Sequence, residues 1–286
     1  MAADMTRVFV YPNANPGPGA NPIYLVYIGN NDHANYGKTL DENHRRMFQE
    51  VDLASIAWLA IPSNFKIMGD SPVIKRTGAW TPDGTIPHVS ALQSSSAGST
   101  LAFQIQTGTG LYIGWRIIDG NGGAASVEID GRTVGKLLGA APAGIELKTF
   151  NKTTDTIAVN RFGVAPGKHT VKITLASATD PKNIFSFVWA GSYVKSDDYS
   201  APPPPRVLVA GVIRLIGNAF PFASETIDKW VHEVVDETKA DGLNVVFVPV
   251  RDYVNATSDM LDAQHPNAIG HQHLFEAFQK ALKSQP

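Results

Sequence analysis

The chain predicts an α/β fold whose parallel sheet is interrupted by an inserted all-β, jelly-roll-like sandwich, and three observations carry that reading. Apolar runs at Ile23–Ile28, Val207–Ile213 and Leu243–Val250 are each bounded by turn residues, the pattern of strands buried on both faces of a parallel sheet. Between the first run and the other two, from about Lys75 to Tyr199, short β-rich pieces separated by Gly, Asn and Asp follow one another with no helical periodicity. Pro202–Pro205 then closes that region as a stiff spacer, after which the alternation of strand and helix resumes.

Each element has its own warrant. After the Ile23–Ile28 strand, residues 40–59 interleave charges with Met47, Phe48, Val51, Leu53, Ile56 and Leu59, which predicts a helix more buried toward its end. In the middle region the strand candidates are Thr100–Gln106, Leu111–Ile118, Ala125–Ile129, Gly144–Phe150, Thr156–Asn160, His169–Leu175 and Ile184–Val194. Asp130-Gly131 between Val127-Glu128-Ile129 and Arg132-Thr133-Val134 predicts a tight hairpin. Residues Glu225–Ala240 put Ile227, Trp230, Val231, Val234 and Val235 on one side of a helix, with Ser224 as its cap and Asp241-Gly242 as its end. A final amphipathic helix is predicted over Ala268–Leu282, with Pro266 suited to a first helical position. The implied division is residues 1–64 plus 206–286 as the α/β domain and residues 75–200 as the inserted sandwich.

Composition narrows the function classes. With 24 Lys plus Arg against 26 Asp plus Glu and no basic block, nothing predicts a nucleic-acid surface. No run reaches the roughly 18 apolar residues of a membrane span, and Met1–Arg7 lacks the apolar stretch of a signal peptide, so no membrane partner is expected and the compartment is left open. The chain contains 0 cysteines, which removes disulfides, thiolate catalysis and cysteine metal sites, so any nucleophile is an oxygen or nitrogen group. No cofactor is expected.

The chemistry concentrates in Asp262-Ala263-Gln264-His265-Pro266 ahead of the last helix. A histidine that accepts a proton from a nucleophile at neutral pH needs a partner that fixes its tautomer and stabilises its cation, and a carboxylate three residues away supplies one. An Asp before a helix also serves as an ordinary cap, with the histidine solvated.

Together with Gly29-Asn30-Asn31-Asp32 at the end of a buried strand, this block resembles the SGNH (GDSL-type) hydrolase family, whose G-x-N-D and D-x-x-H-P blocks occur in the same order. The resemblance implies a flavodoxin-like, parallel three-layer sheet. It also implies His265 as general base, Asp262 as its orienting acid, and Asn31, with Gly29 of the same block, at an oxyanion hole. An amide donor there is worth about 3 kcal/mol. The implied activity is hydrolysis of an acyl ester, either acylated carbohydrate or a small ester, with the inserted sandwich holding a glycan. The family's nucleophile stands in a Gly-Asp-Ser block on an earlier strand, and this chain begins too late for it; the 22 residues before Ile23 hold no serine. Gly69-Asp70-Ser71 follows the G-x-N-D block instead of preceding it. Two readings of that triplet stand side by side: Ser71 is the nucleophile of a rearranged site fed by Phe65–Met68, or the triplet is connector sequence. An amino-terminally shortened enzyme is the third expectation. In that case the Ile23–Ile28 strand is an exposed sheet edge that a partner chain or a second copy covers.

The rival class is a non-catalytic glycan-binding or structural module that lacks a nucleophile. Trp80, Trp115 and Trp189 could stack on sugars, but aromatic residues in strands read first as core. His271 and His273, two apart on a helix, read as solvated or capping; His33, His44 and His232 have no partners at metal-ligand spacing; Asp119, Asn121 and Asp130 read as turns.

Overall fold

A computed structural model describes residues 23–27, 41–85, 90–118, 122–142, 155–176, 183–195, 204–214, 223–262 and 265–284. They fall into two compact units, one built from residues 23–60 with 204–284 and the other from residues 61–195.

The first unit opens with β1 (Ile23–Tyr27) and α1 (Glu42–Ala60). Asp41 caps α1 by accepting the His44 amide at 3.0 Å, and the helix buries Met47, Phe48, Val51, Leu53 and Ile56 as its spacing predicts.

The second unit holds β2 (Lys66–Met68), β3 (Lys75–Thr77), β4 (Thr81–Asp83), β5 (Ala91–Ser94), β6 (Thr100–Thr107), β7 (Gly110–Ile118), β8 (Ala124–Ile129), β9 (Arg132–Leu138), β10 (Asp155–Gly163), β11 (Gly167–Leu175) and β12 (Phe185–Gly191). They form two antiparallel sheets. One is ordered β10-β7-β12-β5-β4 with β2 also paired to β12, and the other β3-β6-β11-β8-β9. Alternation makes the shared core: Leu101, Phe103, Ile105, Val127, Val171 and Ile173 of one sheet face Leu92, Ile113, Trp115 and Phe187 of the other, and the Phe103 and Phe187 rings lie 6.0 Å apart. The predicted Asp130-Gly131 hairpin joins β8 to β9, with φ of 50° and 78° at its two central residues, the left-handed pair that a two-residue turn requires. The strand expected at Gly144–Phe150 lies outside the described residues.

The chain then returns to the first unit through β13 (Arg206–Ala210), α2 (Ala223–Ala240), β14 (Val245–Val248) and α3 (Ala268–Lys283). β1, β13 and β14 pair in parallel in that order. α1 and α2 pack on the sheet and on each other through Phe48 and Trp230, while α3 seats Leu274 and Ala277 against Leu208, Ala210 and Val248. α2 begins before Ser224, which lies in its first turn. It ends in a Schellman turn: Gly242 at φ 81° donates to Lys239 O and the Leu243 amide to Thr238 O. Pro266 precedes the α3 cap instead of opening the helix, because Asn267 is the N-cap and accepts the Ile269 and Gly270 amides. Arg206 holds the other end of α3 by donating to the Ala281 and Ser284 carbonyls.

The expected fold class is corrected by this topology. Among the described residues, eleven of fourteen strands lie in the two antiparallel sheets and three in the parallel sheet, so the described chain is mostly β and shows no SGNH-like, flavodoxin-like parallel three-layer sheet. The physical reason is that three apolar runs supply three parallel strands, whereas the short β pieces of the middle region pair antiparallel and make up most of the strand length. At the sheet margin, Ile23 and Leu25 of β1 are 51% and 59% exposed.

Candidate functional site

In the first unit, the site is a closed loop between the Val250–Asp252 turn and α3. Met260 and Pro266 form an antiparallel bridge and the Leu261 amide donates to His265 O at 2.7 Å, which brings residues 262 and 265 together at the loop tip. His265 Nδ1 lies 2.8 Å and 3.0 Å from the two Asp262 carboxylate oxygens, and the His265 amide donates to Asp262 Oδ1 at 2.8 Å. An ionised carboxylate only accepts, so the nitrogen facing Asp262, Nδ1, carries a proton, and in a neutral imidazole so held Nε2 would have the lone pair that a general base requires. Both side chains are open, with His265 69% and Asp262 54% exposed. Among the described residues no hydroxyl is hydrogen-bonded to His265 Nε2.

A second acid and histidine stand beside the first. Asp259 is 2% exposed, and its carboxylate accepts the Asn255 amide at 2.7 Å, the Ser258 hydroxyl at 2.8 Å and His273 Nδ1 at 2.6 Å. The Asn255 amide and then the His273 ring, working against burial, hold this carboxyl below the usual range. Sequence reasoning had His273 as solvated or capping. Its partner is 14 residues away, across the loop and the first turn of α3, a separation that no local spacing rule reads.

The other predicted residues are placed as follows. Gly29 and Asn31 lie outside the described residues, as do His33, Asp119 and Asn121. Ser71 sits in the second unit, half-buried, in the turn after β2; its amide donates to Met68 O at 2.9 Å and its carbonyl accepts from Ile74. No helix starts at Pro72; the chain turns directly into β3. Trp115 and Trp189 are fully buried, and Trp115 Nε1 donates to Leu138 O, whereas Trp80 is half-exposed with its indole N–H on Thr77 O. Trp189 lies across Gly114, where any side chain would overlap its indole. Asp130 closes its hairpin by accepting His169 Nδ1 and the Thr170 amide. Among the described residues no group of three metal-binding side chains converges.

Sequence reasoning missed a polar row on the second unit. Thr81, Gln93, Ser186 and Arg116 are directly opposite one another across β4, β5, β12 and β7, and so share one face of the six-stranded sheet. It is the face turned away from the core, since the adjacent Phe187 points at Phe103. Flanking the row on that face, Asp83 and Asp155 grip Arg116: Nη1 donates to Asp83 at 3.2 Å and Nε to Asp155 at 2.5 Å. Ser186 and Thr85 hydroxyls also donate to Asp83. Burial pushes the Asp83 carboxyl up, but the Ser186 and Thr85 hydrogen bonds and the Arg116 charge outweigh it and hold the group below the usual range. The only trace in the sequence is polar residues at alternate positions of otherwise apolar strands.

No family model matches the chain, and no curated protein matches it. Among solved structures, it is similar to the C-terminal CBM6 of a marine laminarinase from Zobellia galactanivorans, at 14% identity and TM-score 0.32, over 44% of this chain and 94% of that one. A carbohydrate-binding module CBM36, solved with calcium and xylotriose, matches at 17% identity and TM-score 0.31, over 44% of this chain and 96% of that one. A two-domain esterase active on acetylated mannans matches at 14% identity and TM-score 0.36; the match covers 46% of this chain and 36% of the esterase. None of these structures is described as an SGNH hydrolase.

Proposed function

We propose that this chain is a carbohydrate-binding protein, with the outer face of the six-stranded sheet as the glycan site. The observation that supports this reading is the transverse row Thr81, Gln93, Ser186 and Arg116, one residue from each of four adjacent strands, flanked by Asp83 and Asp155. Neighbouring strands run about 4.8 Å apart, so exposed Thr81 and half-exposed Gln93 offer adjacent polar groups to hydroxyls of a sugar chain, while Ser186, fully buried and bonded to Asp83, and Arg116, 13% exposed, form the floor behind them. Arg116 has five N–H donors, of which two are spent on Asp83 and Asp155, and its ion pairs fix the direction of the rest. Gel retardation of the intact chain through soluble mannan, xylan and β-glucan tests this. Retardation by one of them, relieved in a Thr81→Ala/Gln93→Ala double variant, is expected. Free migration through all three refutes it.

A second reading is favoured by one observation, the 2.8 Å contact of Asp262 with His265 Nδ1. In acyl-ester hydrolysis His265 Nε2 would take the proton of an attacking hydroxyl and return it to the leaving group, with Asp262 steadying the imidazolium. The SGNH-like blocks support that assignment and would put Asn31 and Gly29 at the oxyanion, with Ser71 as the candidate nucleophile. Turnover of p-nitrophenyl acetate by the intact chain separates the cases. Loss in both Ser71→Ala and His265→Ala supports the serine route, loss in His265→Ala alone supports activation of water, and no turnover by the parent chain removes the hydrolytic reading.

A further inference from the structure

The exposed pair Asp262 and His265 does not hold itself in place. An ion pair with both partners open to water is screened and contributes too little to order the loop that carries it. The ordering comes from the stems of the loop. On one side stands Asp259, whose buried carboxylate joins the Asn255 amide, the Ser258 hydroxyl and His273 of α3. On the other stands Asn267, whose amide donates to Asp259 O at 2.8 Å, whose side-chain amide donates to Ser258 O at 2.8 Å, and whose Oδ1 caps α3. Gly270 lies against the Asp259 carbonyl so closely that any Cβ there would overlap it. The loop is thereby clasped to the first two turns of α3, with the Met260 and Pro266 bridge above the clasp and His265 at the tip.

We infer that Asp259 and His273 are positioning residues for His265. The buried acid and histidine fix the loop stem, the stem sets the separation of residues 262 and 265, and that separation keeps the proton on His265 Nδ1 and the lone pair on Nε2. This goes beyond the glycan reading and bears on the hydrolytic one. It is independent of turnover, because what it concerns is the tautomer of His265 in the resting protein.

The intact chain labelled with ¹⁵N-histidine gives the test, since long-range ¹H–¹⁵N spectra distinguish an Nδ1–H from an Nε2–H imidazole. At neutral pH the parent chain shows His265 chiefly as Nδ1–H. In His273→Ala that population falls to a minority, and in His273→Asn, whose side-chain amide replaces the Nδ1 donor to Asp259, it is restored. Gly270→Ala, which displaces α3 from the Asp259 carbonyl, shifts His265 in the same direction and serves if His273→Ala does not fold. A folded His273→Ala or Gly270→Ala chain with the parent's His265 spectrum overturns the inference. Absence of ester turnover in the parent chain removes the hydrolytic reading and leaves this result standing.

Discussion

The two candidate sites hold their charges in opposite ways. In the second unit Asp83 is fully enclosed, and Arg116 is 13% exposed between it and Asp155, each group tied to partners on other strands. In the first unit Asp262 and His265 are mostly exposed and bonded to each other within one loop. A buried charge without its partner is costly, so the Arg116 network is bound up with the folding of its sheet, whereas the exposed loop pair contributes little to the fold. Pre-set polar geometry suits recognition of a neutral, hydroxyl-rich ligand, and an open imidazole suits proton transfer. The difference teaches that burial, more than residue identity, decides how far each cluster is tied to the stability of its own unit.

Four changes would break or sharpen that contrast. The largest effect is expected from Asp83→Ala, which strands the Arg116 guanidinium and the Ser186 hydroxyl. Urea denaturation should show a loss of about 3–5 kcal/mol in the second unit. Gln93→Ala removes a half-exposed side chain whose Nε2 reaches Pro82 O of β4 at 3.4 Å, and should weaken glycan binding by about tenfold, equivalent to about 1.4 kcal/mol, with the denaturation midpoint lowered only slightly. Asp262→Ala should cost about 1 kcal/mol or less by the same denaturation measurement, however large its effect on His265 chemistry. The smallest effect concerns pH. The Asp130 hydrogen bond, then the Ala165 carbonyl, raise the His169 pKa, and the Thr170 amide and the His169 ring lower that of Asp130. A raised histidine contributes stability that is full below its unfolded pKa of about 6.5 and is lost as pH rises through the folded value. A lowered aspartate contributes stability present above about 3.9 and lost as pH falls through the folded value. The β8–β9 hairpin is therefore most protected between about pH 4 and 6.5, and His169→Asn should flatten the alkaline side of that profile in amide exchange.

Much of the architecture was legible, for reasons that differ by element. The runs at Ile23, Val207 and Leu243 became the three parallel strands, of which Val207–Ala210 is buried on both faces as an uninterrupted apolar stretch predicts, whereas β1 leaves Ile23 and Leu25 exposed. Asp130-Gly131 gave the hairpin because both positions need positive φ, and Asp262 reached His265 because a three-residue step within one loop is short enough to read locally. What was not legible depends on register. Asp83, Arg116 and Asp155 are 33 and 39 residues apart along the chain, and only the pairing of β4, β5, β12, β7 and β10 sets them side by side. Both family-like blocks belong to the first unit, whereas most of the strand length lies in the second, so the resemblance points to a larger parallel sheet than the three strands present among the described residues. Similarly, helical spacing reads His273 as solvated or capping, because its partner Asp259 lies on the preceding loop.

Titration calorimetry of the intact chain with soluble mannan, xylan and β-glucan, run in parallel on Gln93→Ala, tests the central claim most directly. The account predicts saturable heat with one of these glycans and a Kd about tenfold weaker in the variant. No heat with any of them, or the same Kd in both chains, would contradict it.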